Sequence, residues 1–365
     1  MKETLTPVKA QKVRDSNMEL LRLVAMLLVL VVHANFRALP VPDMRYTQVH
    51  PQSALLMFMT EGFSICAVNL FVLLSGWYGI HFRAKRLAEL LFQVLFFGLL
   101  AIAVCAVWAP QQLGHDVLAH LLMLTGDYWF INVYLALYLL SPVLNAFVEH
   151  ADKRQFACVL VAFFAFQFVF GWATEASRWL MAGYSLPSFM GLYLLGRFMR
   201  LHPIRLWQLN RWADLAIYLA IVAILTVGVF ALKRHTGRGG VLYFYICPLV
   251  ILQAMHLLLL FSKLSLHSRV VNWLASSALA AYLTQSSSFI GVFYDKIILN
   301  WFNNEPRVQF IIYTGLFVLA VFLGSILIDK VRTLLWRLVC KQIEGASGPK
   351  HSKLMNKTQV SKVVK

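Results

Sequence analysis

The chain has 365 residues, of which 60% are hydrophobic and only 13% charged, and its mean hydropathy is +0.68. Soluble domains run at roughly 45–50% apolar and about 25% charged residues, so an ordinary water-soluble globule is excluded. The formal charge of +17 would suit a nucleic-acid partner, but Lys and Arg largely avoid the long apolar runs and gather in the short segments between them, which is the pattern of membrane topology.

Residues 1–18 are polar, with Lys2, Lys9, Lys12 and Arg14. The apolar run that follows is too long for the core of a signal peptide and lacks a small-residue cleavage pattern, so it is read as a first spanning helix that stays in place. A span takes about 20 mostly apolar residues. On that ruler candidates fall at 19–36, 63–80, 88–108, 128–147, 156–173, 187–199, 213–232, 241–261, 271–293 and 308–328. The sixth is short and could begin nearer Arg178. The predicted fold is an all-α polytopic membrane protein, a bundle of about ten transmembrane helices over residues 19–340, with modest external loops at Arg37 to Gly62 and Ala109 to Asp127.

Residues 341–365 (KQIEGASGPKHSKLMNKTQVSKVVK) are polar and basic and predict a disordered tail against anionic headgroups. Lys and Arg outside the spans favour the side of the N-terminus by about three to one, which sets both termini in the cytoplasm; the loop holding Lys233, Arg234 and Arg238 runs against the trend. Cys66, Cys105, Cys158, Cys247 and Cys340 stand singly, with no CxxC, so neither a disulfide framework nor a metal site is expected.

The informative residues are ionisable ones inside the spans, because intramembrane charge costs about 2.5–3.5 kcal/mol on insertion scales and marks bundle interiors or pathways. Helix 1, NMELLRLVAMLLVLVVHANF, carries Glu19, Arg22 and His33. Eleven residues at about 100° each return within roughly 20° of whole turns, so Arg22 and His33 share a face about 16 Å apart, with Glu19 one turn below Arg22. A histidine near neutral pKa suits general-base work. The plainer reading makes Arg22 an interface anchor and His33 an interior hydrogen-bonding residue.

Glu-x-x-Arg followed by ten residues and His in the first span resembles the signature of the acyltransferase 3 family, membrane O-acyltransferases of polysaccharides, lipopolysaccharide and antibiotics. VNLFVLLSGWYGI (Val68 to Ile80) is similar to that family's second helix, with Phe71, Ser75 and Gly76 in its F-x-x-x-SG ending. Arg83 and Arg86 match its R-x-x-R motif, Asp127 to Pro142 resembles its Trp-Phe helix, and Ala278 to Gln285 resembles its late Tyr-Leu-x-His element. One departure stands out: Gln285 occupies the place where many members carry histidine, which puts proton transfer there in doubt. Taken singly, the basic pair follows the positive-inside rule, Trp129 and Phe130 suit an aromatic belt, and Ser75-Gly76 suits close helix packing.

The resemblance implies an acyl-coenzyme A donor, most often acetyl, as co-substrate, with no permanently bound cofactor. It implies His33 as base, Arg22 and Glu19 holding the donor channel, and Arg83 and Arg86 pairing with phosphates, with Arg197 and Arg200 as further candidates. Trp129, Gln285, Glu61 and Asn132, on the outer side, would meet the acceptor, a cell-envelope glycan or lipid-linked sugar in a bacterial inner membrane. Ser75 is a possible nucleophile without an activating base beside it in sequence. The competing reading is a polysaccharide or lipid-linked oligosaccharide transporter or flippase, although no internal repeat or paired broken helices stand out.

Overall fold

The computed structural model describes residues 15–114, 117–175 and 178–346. The tail expected to be disordered lies outside the described residues from 347 onward. Its first residues continue the last helix.

The protein is an all-α polytopic membrane protein. Helix α1 (Ser16–Val32) runs into a π-helical turn, His33–Arg37. Then come α2 (Met44–Val49), α3 (Pro51–Ser64), α4 (Ala67–Tyr78), α5 (Ala84–Trp108), α6 (Val117–Leu121) and α7 (Trp129–His150). Helix α8 (Lys153–Phe166) also ends in a π-helical segment, Gln167–Ala173, and is followed by α9 (Leu186–Leu201), α10 (Arg211–Thr236) and α11 (Pro248–Ser262). Helices α12 (Arg269–Ala275), α13 (Leu279–Ser286), α14 (Ser288–Asn304) and α15 (Arg307–Ala346) complete the described chain.

All ten expected spans fall on helical segments, but eight stretches among the described residues are long and apolar enough to cross a membrane. The two that fall short do so for different reasons. Helix α9 has 16 residues, about 24 Å of rise against a hydrocarbon core of about 30 Å. It does not extend back to Arg178, because a short 3-10 turn at Met181–Gly183 precedes it. The segment expected as one helix over 271–293 is instead three, interrupted at Ser276–Ala278 and at Ser287. Ser287 has extended backbone and caps α14, its hydroxyl accepting from the Phe289 amide at 3.3 Å. The run Ser286-Ser287-Ser288 supplies the residue type that favours caps over helix interiors.

The expected external loop at Arg37 to Gly62 is also corrected. Most of it is α2 and α3, and α3 packs along α10, with Tyr218 donating to the Phe63 carbonyl at 2.6 Å. The loop reading failed because residues 44–64 mix polar and apolar positions without a continuous apolar run.

Helix α1 lies at the centre, with Leu21, Ala25 and Leu30 fully buried. Helices α4 and α9 cross backbone to backbone. A Cβ on Gly76 would run into the Tyr193 carbonyl, and one on Gly196 into the Leu73 carbonyl. Close approach through small residues is how membrane helices gain packing without a hydrophobic drive between them. The packing role expected for Gly76 is therefore its observed one.

Candidate active site

The stripe Glu19, Arg22, Met26, Val29, His33 follows helical spacing along one face of α1, and every member borders a cavity. The stripe borders two cavities, one toward each end of the bundle. The first, about 370 Å³, is bordered by His33, Arg37, Glu61 and Trp129 among aromatic side chains. The second, about 850 Å³, is bordered by Glu19, Arg22, Ser75, Arg83 and Arg86. Phe71, Phe130 and Leu279 border both, so the cavities lie back to back across one apolar wall. The Phe71 and Phe130 rings meet edge to face, 6.0 Å between centroids.

In the larger cavity Arg22 Nη1 donates to Glu19 Oε2 within the first turns of α1. Arg83 caps α5, and its amide donates to the Tyr138 hydroxyl at 3.0 Å. Its side chain and that of Arg86 are exposed, cationic and multivalent donors suited to phosphate. Ser75 donates to the Phe71 carbonyl at 2.9 Å and lies 3.3 Å from the Tyr134 hydroxyl. It opens on this cavity, across the wall from His33, with a phenol and not a base beside it. Arg197 borders neither cavity; its guanidinium lies against Gly79, whose φ of +75° and missing side chain let Nη1 come within 3.2 Å of the Cβ position.

In the smaller cavity His33 opens the π-helical turn. Its Nδ1 lies 2.7 Å from Oε1 of Gln285, a residue 252 positions later at the end of α13. The amide oxygen facing Nδ1 suits the tautomer in which that nitrogen carries the proton and donates. Nε2 has no protein partner among the described residues and keeps its lone pair in that tautomer. Arg37 Nη1 lies 3.2 Å from the same Nδ1 and donates to the Gln285 carbonyl at 3.1 Å, while its Nε and Nη2 donate to Asp295 Oδ1 at 3.2 and 2.8 Å. The break before α14 is what frees that carbonyl. Gly291 makes room, because a Cβ there would strike the Gln285 carbonyl oxygen. Opposite, the buried Glu61 carboxyl accepts from Asn35 Nδ2 at 3.0 Å. Trp129 stacks with Tyr245 (centroids 6.1 Å, 22° between planes) and lies 4.4 Å from Tyr184.

Of the residues picked from sequence, the structure groups His33, Glu61 and Trp129 at one cavity and Glu19, Arg22, Arg83 and Arg86 at the other. Two differ from expectation. Gln285 does not border the cavity and instead holds His33. Asn132 is exposed, and its side chain donates to the Met123 carbonyl at 2.8 Å, bracing the turn before α7. Sequence reasoning passed over Arg37, Asn35 and the tyrosines. Arg37 was within reach of it, since four residues after His33 places it on the same helix face. Tyr184, Tyr243 and Tyr245 sit in irregular segments, where no periodicity points at them.

This is a helical membrane protein with a histidine at an aromatic cavity and an arginine-lined cavity behind it, an arrangement that suits group transfer between two substrates arriving from different ends. A family model described as an acyltransferase domain matches residues 15–329. The chain belongs to this family, acyltransferase 3, and is a membrane acyltransferase. No curated protein and no solved structure matches it.

Proposed function

We propose that the protein is an O-acyltransferase that moves an acyl group, acetyl in the simplest case, from acyl-coenzyme A to a hydroxyl of a cell-envelope glycan or lipid-linked sugar. The observation that carries this reading is the pair of cavities on one face of α1, cationic at one end and aromatic with a base at the other, divided only by Phe71, Phe130 and Leu279. The basic bias of the sequence supports placing the Arg22 end and both termini in the cytoplasm of a bacterial inner membrane, where the donor is made.

The donor's phosphates meet Arg83 and Arg86, Arg22 and Glu19 line the path of its arm, and the thioester crosses the wall toward His33. The acceptor ring lies against Trp129, as sugars stack on aromatic faces, with Glu61 accepting from a second hydroxyl. His33 Nε2 takes the proton as the acceptor oxygen attacks the thioester carbonyl. The C–O bond forms, the C–S bond breaks, and the thiolate leaves with the proton returned from the imidazolium. Gln285 fits the role of orienter. It accepts from Nδ1–H, which a carbonyl oxygen does as well as the histidine found there in other members.

Two opposed cavities also favour a carrier. The purified protein, given acetyl-coenzyme A and candidate glycans, is expected to release free coenzyme A in step with ester formation on the glycan. Vectorial glycan movement without coenzyme A release would refute the proposal.

A further inference from the structure

A third cavity, about 330 Å³, lies at the Arg22 end of the bundle, bordered by Asp15, Asn17, Trp77, Arg200 and the Ser262–His267 region. Asp15 borders both this cavity and the arginine-lined one, so the two adjoin at the start of α1. The Asp15 carboxylate accepts from the Tyr78 hydroxyl at 3.1 Å, and Tyr78 itself borders the larger cavity.

Three features give this small cavity the chemistry of a phosphorylated nucleotide. Arg200 is exposed at the end of α9, with its guanidinium 5.1 Å above the Trp77 ring and no ion pair among the described residues. The segment between α11 and α12 borders the cavity at Ser265, Leu266 and His267, and none of their backbone amides donates to a protein acceptor among the described residues. Such successive amides and a nearby guanidinium attract anions. Asp15, next to them, is an acceptor for an exocyclic amine, and a guanidinium plane over an indole is a surface on which a base stacks.

We infer that this cavity holds the 3′-phosphorylated adenosine end of the acyl-coenzyme A donor, with Arg200 and the Ser265–His267 amides on the 3′-phosphate and Asp15 on the adenine amine. The inference rests on the proposed donor. It divides the work between two basic sites: Arg83 and Arg86 take the pyrophosphate, and Arg200 reads the phosphate that distinguishes coenzyme A from its dephosphorylated form.

The test is equilibrium binding of coenzyme A and 3′-dephospho-coenzyme A to the full-length protein in nanodiscs. The wild type is expected to prefer coenzyme A by about tenfold or more, the size of one charge-assisted contact. Arg200→Gln, which keeps a stem over Trp77, is expected to weaken coenzyme A binding to the level of the dephosphorylated compound and to leave the latter unchanged. Arg83→Ala with Arg86→Ala is expected to weaken both equally. Arg200→Lys, which keeps a cation over Trp77, is expected to retain part of the preference and so to separate loss of the charge from loss of the fold. A preference unchanged in Arg200→Gln would overturn the inference while leaving the donor assignment intact. A wild type that binds neither compound would overturn the donor assignment and this inference with it.

Discussion

Replacing Gln285 by Leu separates positioning from chemistry at His33. The side chain is buried, with 1% of its surface exposed, and its Oε1 is the partner of His33 Nδ1 at 2.7 Å. Its Nε2 has no partner among the described residues. Leu therefore removes one orphaned buried donor and creates another at His33 Nδ1, each costing about 1–3 kcal/mol, so the two roughly cancel in stability. Rate is another matter. The bond itself is worth about 0.5–1.5 kcal/mol, or about 2- to 12-fold. Losing control of the tautomer adds to that, since partners that orient a catalytic or metal-bound histidine typically matter by about 10- to 100-fold. The expected result is a kcat for acyl transfer lowered by about 10- to 100-fold, with the donor KM unchanged and a thermal midpoint in detergent within a few degrees of wild type. Gln285→His, which restores a ring nitrogen able to accept, should recover most of the rate. Wild-type kcat in Gln285→Leu at matched folded protein would show that the contact has no part in catalysis.

His33→Gln keeps hydrogen bonding but cannot take the proton, and transfer is expected to fall by at least about 10²–10⁴-fold at equal expression; measurable turnover near wild type would leave His33 a structural residue. Leu279→Trp thickens the wall between the cavities, so acyl transfer should drop several-fold or more while coenzyme A binding, read by calorimetry, stays unchanged. Gly76→Val drives a branched side chain into the Tyr193 carbonyl on α9. Overpacking costs about 1–3 kcal/mol, more where backbone is struck, so this variant should lose monodisperse yield on size-exclusion chromatography.

The parts of the molecule written in a period were legible. The apolar runs placed every crossing element, and the 3.6-residue repeat put Glu19, Arg22 and His33 on one face, where the structure has them. The parts that depend on breaks were not. Nothing in the run from Val271 to Phe293 says that the chain stops at Ser287, because a serine costs a helix little and only tertiary packing decides whether it caps or continues. The His33–Gln285 contact joins residues 252 apart. It was read as contact with substrate because the position, but not the fold around it, was visible. Asn132 was placed at the site by the neighbourhood of Trp129. Three residues on from Trp129 along α7, its side chain turns back to the Met123 carbonyl instead.

The irregular backbone collects around the smaller cavity, and that follows from the solvent. In hydrocarbon an unpaired amide or carbonyl costs several kcal/mol, so a broken helix survives at membrane depth only where protein or a cavity covers the break. Here the π-helical turn begins at His33, the α3–α4 junction falls at Ile65 beside Glu61, and the α13–α14 break follows Gln285. His33, Ile65 and Glu61 border the smaller cavity, and Gln285 grips His33 at its edge. Each interruption does a local task. The π turn brings Arg37 round to the face of His33, the junction lets Glu61 and Val68 face one space from two helices, and the last break exposes the Gln285 carbonyl to the Arg37 guanidinium. A bundle of continuous helices with the same side chains would leave that carbonyl bonded within its own helix and Arg37 without that acceptor. The helix breaks hold His33 and Glu61 in place, and the apolar runs that dominate the sequence serve to carry them to the right depth.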